Sequence, residues 1–264
     1  MLKPANSPGN PDPVNEPAVT VRALRPDIVQ VTMQDRVNKN TFSEAILTGL
    51  ADAFDEIGRN PCYKAVILTG YDSYFCSGGT QEALMALQES RDRKFTDVSI
   101  TYQLALQCPV PVIAAMQGHG IGGGLVMGMY ADFVIFSRES VYSTNFMKFG
   151  FTPGMGGTYI VPLKLGTALG TEMLMTAANY RGADLEKRGI SCPVVPRSEV
   201  LEHAYRLAES IAEKPRVSLV TLKQHLVAPI RAALPDVIAR EVEMHAKTFH
   251  LPEVRERIES LFGR

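Results

Sequence analysis

Phe75-Cys76-Ser77-Gly78-Gly79-Thr80 and Gly118-His119-Gly120-Ile121-Gly122-Gly123-Gly124 are the two stretches whose reading decides the fold. Each follows an apolar run of strand length, Lys64–Gly70 for the first and Pro109–Met116 for the second, and each leads into a segment with helical patterning. Glycines at such a junction let the backbone approach a ligand closely and leave amide N–H groups near a helix start. Taken singly, either stretch reads equally as a tight turn that needs a positive φ. Together, about forty residues apart, they can present two N–H groups to one carbonyl oxygen. That arrangement is an oxyanion hole, in which loss of one donor costs ~10²–10³ in rate. Gly118–Gly123 also satisfies the G-x-G-x-x-G dinucleotide fingerprint, with Glu139 near the expected place of a ribose-binding acid, so a dinucleotide-binding oxidoreductase stays open.

Outward from these turns, short strands alternate with helices, which predicts α/β architecture. Val19–Leu24 and Ile28–Met33, split by Pro26, read as a hairpin. A helix over Ser43–Arg59 follows, with Ile46, Leu47, Leu50, Phe54 and Ile57 on one face. Gln81–Gln88 reads as a helix, Glu89–Thr96 as a polar stretch, and a further helix runs to about Gln107. Phe133–Ser137 is a third buried strand. Beyond Lys164 the pattern is helical over Gly166–Ala177, Leu185–Gly189, Ser198–Glu213, Pro215–Val227 and Leu234–Phe249. The expected division is a disordered tail over 1–16, rich in Pro and Asn, a core over 17–197 and a helical C-terminal region over 198–264.

Composition bounds the function without naming it. The 264 residues carry a formal net charge of -1, which gives no support for nucleic-acid binding. Residues 1–16 lack the apolar core of a secretory signal, and no apolar run is long enough to span a membrane, so a cytoplasmic location is expected. Cys62, Cys76, Cys108 and Cys192 are scattered, with no C-x-x-C pair, and read as reduced thiols, with neither a disulfide framework nor a zinc site.

The detailed wording resembles the crotonase (enoyl-CoA hydratase/isomerase) family. Asp35-Arg-x-x-x-Asn40, Lys64–Gly70, Phe75–Thr80, Ile113–Gly124, Ala131-Asp132, Gly150–Gly157 and Gly182–Gly189 occur in that family's order and spacing, and the likeness covers about Ala18 to Phe262. The resemblance implies a ββα superhelix with a C-terminal helical trimerisation region, assembling as a homotrimer or dimer of trimers. It assigns the oxyanion donors to the backbone N–H groups of Gly79 and Gly123, with Gly78, Gly122, Tyr142 and Phe146 shaping the substrate pocket. The departures are equally informative. Where hydratases hold water between two glutamates, this sequence has Val126 and, at about the second position, Phe146; no Asp or Glu lies between Glu139 and Glu172. Hydration without that acid/base pair is not expected.

A narrower likeness is to the decarboxylating hydratase-like enzymes of polyketide β-branching cassettes. It rests on Lys39-Asn-Thr-Phe-Ser, Ser77–Glu82, Ala115–Gly124, Asn145–Gly154, Glu213–Lys223 and Met244–His250. It implies action on a 3-methylglutaconyl group carried by acyl carrier protein (or CoA), with no metal and no cofactor, and with Lys94 and His245 in place of the hydratase carboxylates. His245 falls on an apolar helical stripe with Ile238, Val242 and Phe249, so a core histidine is the plain alternative. Lys94 sits in a charged loop beside Arg91 and Arg93, and only the match singles it out. A Δ3,Δ2-enoyl-CoA isomerase and a non-catalytic scaffold of the same fold also remain open.

Overall fold

The computed structural model describes residues 16–89 and 101–262. The larger of its two sheets has six strands. Strands β1 (Val19–Arg25) and β2 (Ile28–Met33) form the expected antiparallel hairpin. The strands β3 (Ala65–Thr69), β5 (Val112–Met116), β7 (Phe133–Ser137) and β10 (Val194–Val195) then add in parallel. Side chains alternate across a strand, so a sheet covered on both faces needs unbroken apolar runs. Val66, Leu68, Val112, Ala114 and Phe136 face the main core, while Ala65, Ile67, Ile113, Ala115 and Ile135 face a second cluster.

Helix α1 (Glu44–Arg59) closes on the main core. Ser43 caps it by accepting a hydrogen bond from the Ile46 amide, and Ile46, Leu50, Phe54 and Ile57 are buried, each contributing on the order of 2 kcal/mol. On the opposite face lies α8 (Val200–Ala212), the first helix of the C-terminal region, whose Val200, Ala204, Ala208 and Ile211 recur at helical spacing against the second cluster.

The smaller sheet is built from strands too short for periodicity to reveal. β4 (Tyr74–Cys76), β6 (His119–Ile121) and β8 (Val141–Ser143) pair in parallel, and β9 (Tyr180–Arg181) runs antiparallel to β8. A large-sheet strand, a small-sheet strand and a helix therefore form the repeating unit: β3, β4 and α2 (Gln81–Glu89), then β5, β6 and α4 (Gly123–Met129). This is the expected ββα winding. Between these two units stands the short α3 (Leu104–Gln107), preceded by a tight turn at Thr101–Gln103 in place of a longer helix.

After β8 the helices differ from the sequence reading. α5 (Gly157–Leu165) begins on Gly156, with no side-chain cap and with Pro162 inside it, and α6 (Thr167–Thr176) follows directly. After the short α7 (Gly182–Lys187) and α8, the two helices expected over 215–249 are one, α9 (Arg216–Thr248), which carries Pro229 and Pro235 within it. Lys223 pins α9 to the core: its buried ammonium donates to the Ala105 and Val110 carbonyls and to Asp132, at 2.8, 3.0 and 2.7 Å. The last helix is α10 (Pro252–Leu261). Among the described residues no helix is long and apolar enough to cross a membrane. The four cysteines are free thiols.

Candidate active site

The first glycine turn is built from below by Asn40. Its buried side chain donates to the Met33 and Phe75 carbonyls at 2.9 and 3.0 Å and accepts from the Asp35 amide at 2.8 Å. It thereby ties the end of β2 to the end of β4. The Phe42 amide then donates to the Gly78 carbonyl at 2.7 Å, which fixes the Gly78–Gly79 peptide, whose Gly79 N–H points opposite to that carbonyl. Gly78 has φ of 80°, so a side chain there is disfavoured, and a Cβ would lie 2.7 Å from the Ile121 carbonyl oxygen and 3.2 Å from the Gly123 nitrogen. The two turns are thus in direct contact.

The second turn is fixed by the Gly122 amide donating to the Ser143 carbonyl at 2.7 Å. Gly122 has φ of 55°, and Gly123 is the first residue of α4, where an amide has no intrahelical acceptor. Among the described residues neither the Gly79 nor the Gly123 amide donates to another protein group. Both line one cavity of about 710 Å³. Around Gly123 the wall is apolar, because Met155 Sδ and Phe42 Cε2 would each lie 2.7 Å from a Cβ on that residue. Two unspent amides in such a setting suit a developing oxyanion, since low polarity strengthens each hydrogen bond.

One region of the cavity is greasy, lined by Leu84, Leu87, Phe149, Phe151 and Phe262 among others, and another carries Asn38, Lys39, Tyr74, His119 and Asn179. Phe146 is on the wall, as expected from the sequence. Tyr142 is not. It is fully buried in the core, accepting from the Ser137 amide and donating to the Met116 carbonyl, because alternation along β8 turns it away from the cavity-lining Val141. Gly78 likewise shapes the wall from behind.

Val126, at the first hydratase-glutamate position, is fully buried. The one acidic side chain among the described lining residues is Glu82, which is exposed. His119 has its Nδ1 occupied by the Val141 amide at 2.9 Å, so a neutral ring carries its proton on Nε2. Burial, helped by Arg197 and Arg181, lowers its pKa.

His245 is buried on α9 and stands one row back from the cavity. Its ring packs against Phe151, with centroids 6.2 Å apart, and its Nε2 lies 2.6 Å from the Thr152 carbonyl, which can only accept. Burial lowers its pKa, opposed by that hydrogen bond. Lys94 lies outside the described residues. Sequence reasoning missed Glu241, a buried carboxylate one helical turn before His245. It accepts from the Gly156 amide (2.7 Å), the Thr158 amide (2.9 Å) and the Thr158 hydroxyl (2.6 Å). The signal was present, since Leu234, Val237, Glu241 and His245 recur at helical spacing and all are buried.

The dinucleotide reading does not fit this geometry. Gly118–Ile121 passes into strand β6, and a Cβ on Gly118 would lie 2.3–2.5 Å from backbone atoms of Ser73 and Tyr74. Its glycines serve close strand packing where a phosphate loop would need open space. Glu139 is engaged by the Ser137 hydroxyl and the Arg197 amide.

Comparison with known proteins agrees with the fold. Residues 25–262 match the family model described as enoyl-CoA hydratase/isomerase. The chain is 63% identical to the bacillaene synthase decarboxylase PksI of Bacillus subtilis (strain 168) over 236 residues, covering 89% of this chain and 94% of that protein. A solved structure of a dehydratase/decarboxylase enzyme couple involved in polyketide β-branching superposes with a TM-score of 0.91 at 60% identity, covering 94% of this chain and all (100%) of that one. The ECH2 decarboxylase domain of CurF from Lyngbya majuscula gives a TM-score of 0.89 at 47% identity, with the same coverage (94% and 100%).

Proposed function

The chain belongs to the enoyl-CoA hydratase/isomerase (crotonase) family, and from that premise we propose that it decarboxylates a 3-methylglutaconyl thioester on acyl carrier protein to the 3-methylcrotonyl thioester in polyketide β-branching. The observation that carries this reading is the pairing of two contacting glycine turns with a cavity that has Phe146 on its wall at the second hydratase position, while Val126, at the first, is fully buried. Such a site can stabilise an enolate, and among its described residues there is no carboxylate pair to hold and activate water. The high identity to a decarboxylase of bacillaene synthesis supports the same conclusion.

In the reaction the thioester oxygen accepts from the Gly79 and Gly123 amides. The bond between the γ-carbon and the distal carboxylate carbon breaks, CO2 leaves, and the electron pair moves through the conjugated system onto that oxygen as a dienolate. Protonation at the γ-carbon restores the thioester carbonyl and leaves the α,β double bond. We assign the proton to His245, whose ring adjoins the cavity-lining Phe151. Lys94 is assigned to receive the departing carboxylate. Its grip must be loose, because an ion pair that holds the ground state would slow CO2 loss. The apolar side chains exposed on α9, Val217, Leu222 and Leu226, fit the trimeric or hexameric assembly that the resemblance implies.

The test is to supply 3-methylglutaconyl-carrier protein and weigh the acyl group. The expected product is lighter by the mass of CO2. An unchanged mass with a shifted double bond would replace this reading with an isomerase, and no turnover of any acyl thioester would replace it with a scaffold.

A further inference from the structure

The segment Thr152–Thr158 is strapped to α9 along its whole length. At its start the Thr152 carbonyl meets His245 Nε2, and the Thr152 amide and hydroxyl lie 3.4 and 3.2 Å from the Thr248 hydroxyl. At its end Gly156 and Thr158 donate to Glu241. Between these anchors Met155 is held at φ of 63°, a left-handed conformation that costs a non-glycine residue roughly 1–2 kcal/mol. Its carbonyl accepts from the Tyr130 hydroxyl at 2.7 Å, and its thioether lies against Gly123 and on the cavity wall.

The donors around Glu241 are all N–H or O–H groups, three of them on two oxygens, at the N-terminus of α5. Two of them, the Gly156 and Thr158 amides, can only donate and fall on different oxygens, so the arrangement needs two accepting oxygens on one side chain. We propose that Glu241 is a positioning residue for the oxyanion hole: by holding the Gly156 amide it keeps the Met155 thioether over Gly123, where it shields the forming enolate oxygen from water. Burial pushes the Glu241 carboxyl up, so an ionised group at this place costs stability, in keeping with a role in function. The proposal rests on the reading above that the Gly123 amide meets the thioester oxygen.

A glutamine at this position offers one oxygen. With its oxygen on the Thr158 donors, its NH2 faces the Gly156 N–H, and the hold on Met155 is lost. The experiment compares wild type, Glu241→Gln, Met155→Ala and the double variant on 3-methylglutaconyl-carrier protein, reading kcat, KM and the product isomers. Water at the dienolate permits protonation at the α-carbon, which gives the β,γ-unsaturated thioester in place of the α,β-isomer. Glu241→Gln is expected to lower kcat about ten- to a hundredfold, with KM within about twofold, and to raise the share of β,γ-product. The double variant is expected to be no worse than the poorer single variant. Wild-type kcat and product ratio in Glu241→Gln, or losses that multiply in the double variant, would overturn the proposal. If Glu241→Gln does not fold, as judged by circular dichroism, Thr158→Val carries the test, since it removes only the 2.6 Å hydroxyl contact. The same direction with a smaller loss supports the proposal, and wild-type values refute it. Wild-type enzyme that releases no CO2 would instead overturn the functional reading itself.

Discussion

Gly78 and Gly123 are locked together through their backbones. A methyl group on Gly78 would sit 3.2 Å from the Gly123 nitrogen and 2.7 Å from the Ile121 carbonyl oxygen, on a residue whose φ is 80°. The contact lets one turn set the position of the other turn's amide. Gly78→Ala is therefore expected to lower kcat by about 10²-fold or more, as for loss of an oxyanion donor. It also lowers the melting temperature, since the left-handed backbone alone costs about 1–2 kcal/mol. Steady-state decarboxylation with a thermal scan of the same variant checks both.

Asn40 is the buried strut under this contact. Truncation to Ala leaves the Met33 and Phe75 carbonyls and the Asp35 amide without their partner. The expected loss is about 3 kcal/mol of unfolding free energy, read as a lower urea midpoint at unchanged slope.

Restoring a glutamate at the first hydratase position does not restore hydration. Val126 is fully buried, and one of its methyl carbons lies 3.3 Å from where a Cβ on Gly157 would stand. A carboxylate there would have neither water nor the second acid, whose place Phe146 holds. Val126→Glu is expected to destabilise the protein by roughly 3 kcal/mol or more and to add no water to crotonyl thioesters in a mass assay.

The pH dependence follows from His245. Burial holds its folded pKa below the ordinary 6.5. With a depressed histidine pKa, its contribution to stability is intact above the ordinary value and is lost as pH falls through both. The wild-type melting temperature is thus expected to drop below about pH 6 more steeply than that of His245→Gln, whose amide still donates to the Thr152 carbonyl. Activity runs the other way. The proton-donating form disappears as pH rises through the depressed His245 pKa, so kcat is expected to begin falling below pH 6.5. His245→Gln removes that limb and about 10²–10⁴ of the rate.

How much of this was legible in the sequence depended on the length of each pattern. β3, β5 and β7 carry apolar runs, and α1 an apolar stripe, long enough to fix type and burial, while the sequence left Thr41 and Ser43 both open as the cap of α1 and the fold uses Ser43. The smaller sheet was invisible, because three residues such as Tyr74–Cys76 or His119–Ile121 contain no period to read. That omission also misplaced Tyr142, whose direction is set by its place in β8. The two helices read over 215–227 and 234–249 are joined in α9, which runs through Pro229 and Pro235, and α5 starts on glycines without a capping side chain. Gly79, Gly122, Gly123 and Phe146, singled out from local pattern and family likeness, line the cavity, and their roles there are proposals. Glu241 and Met155 were not singled out, since their roles arise from a segment and a helix that meet only in the fold.

The central claim is that the amides of Gly79 and Gly123 bind a single thioester oxygen. Its most direct test is the infrared carbonyl stretch of a bound, isotope-labelled 3-methylglutaryl thioester, a saturated substrate analogue that lacks the conjugation needed to lose CO2. Two converging donors should move that stretch to lower frequency than in water, and Gly78→Ala should return it most of the way. A stretch in the wild-type complex at or above its frequency in water would contradict the account.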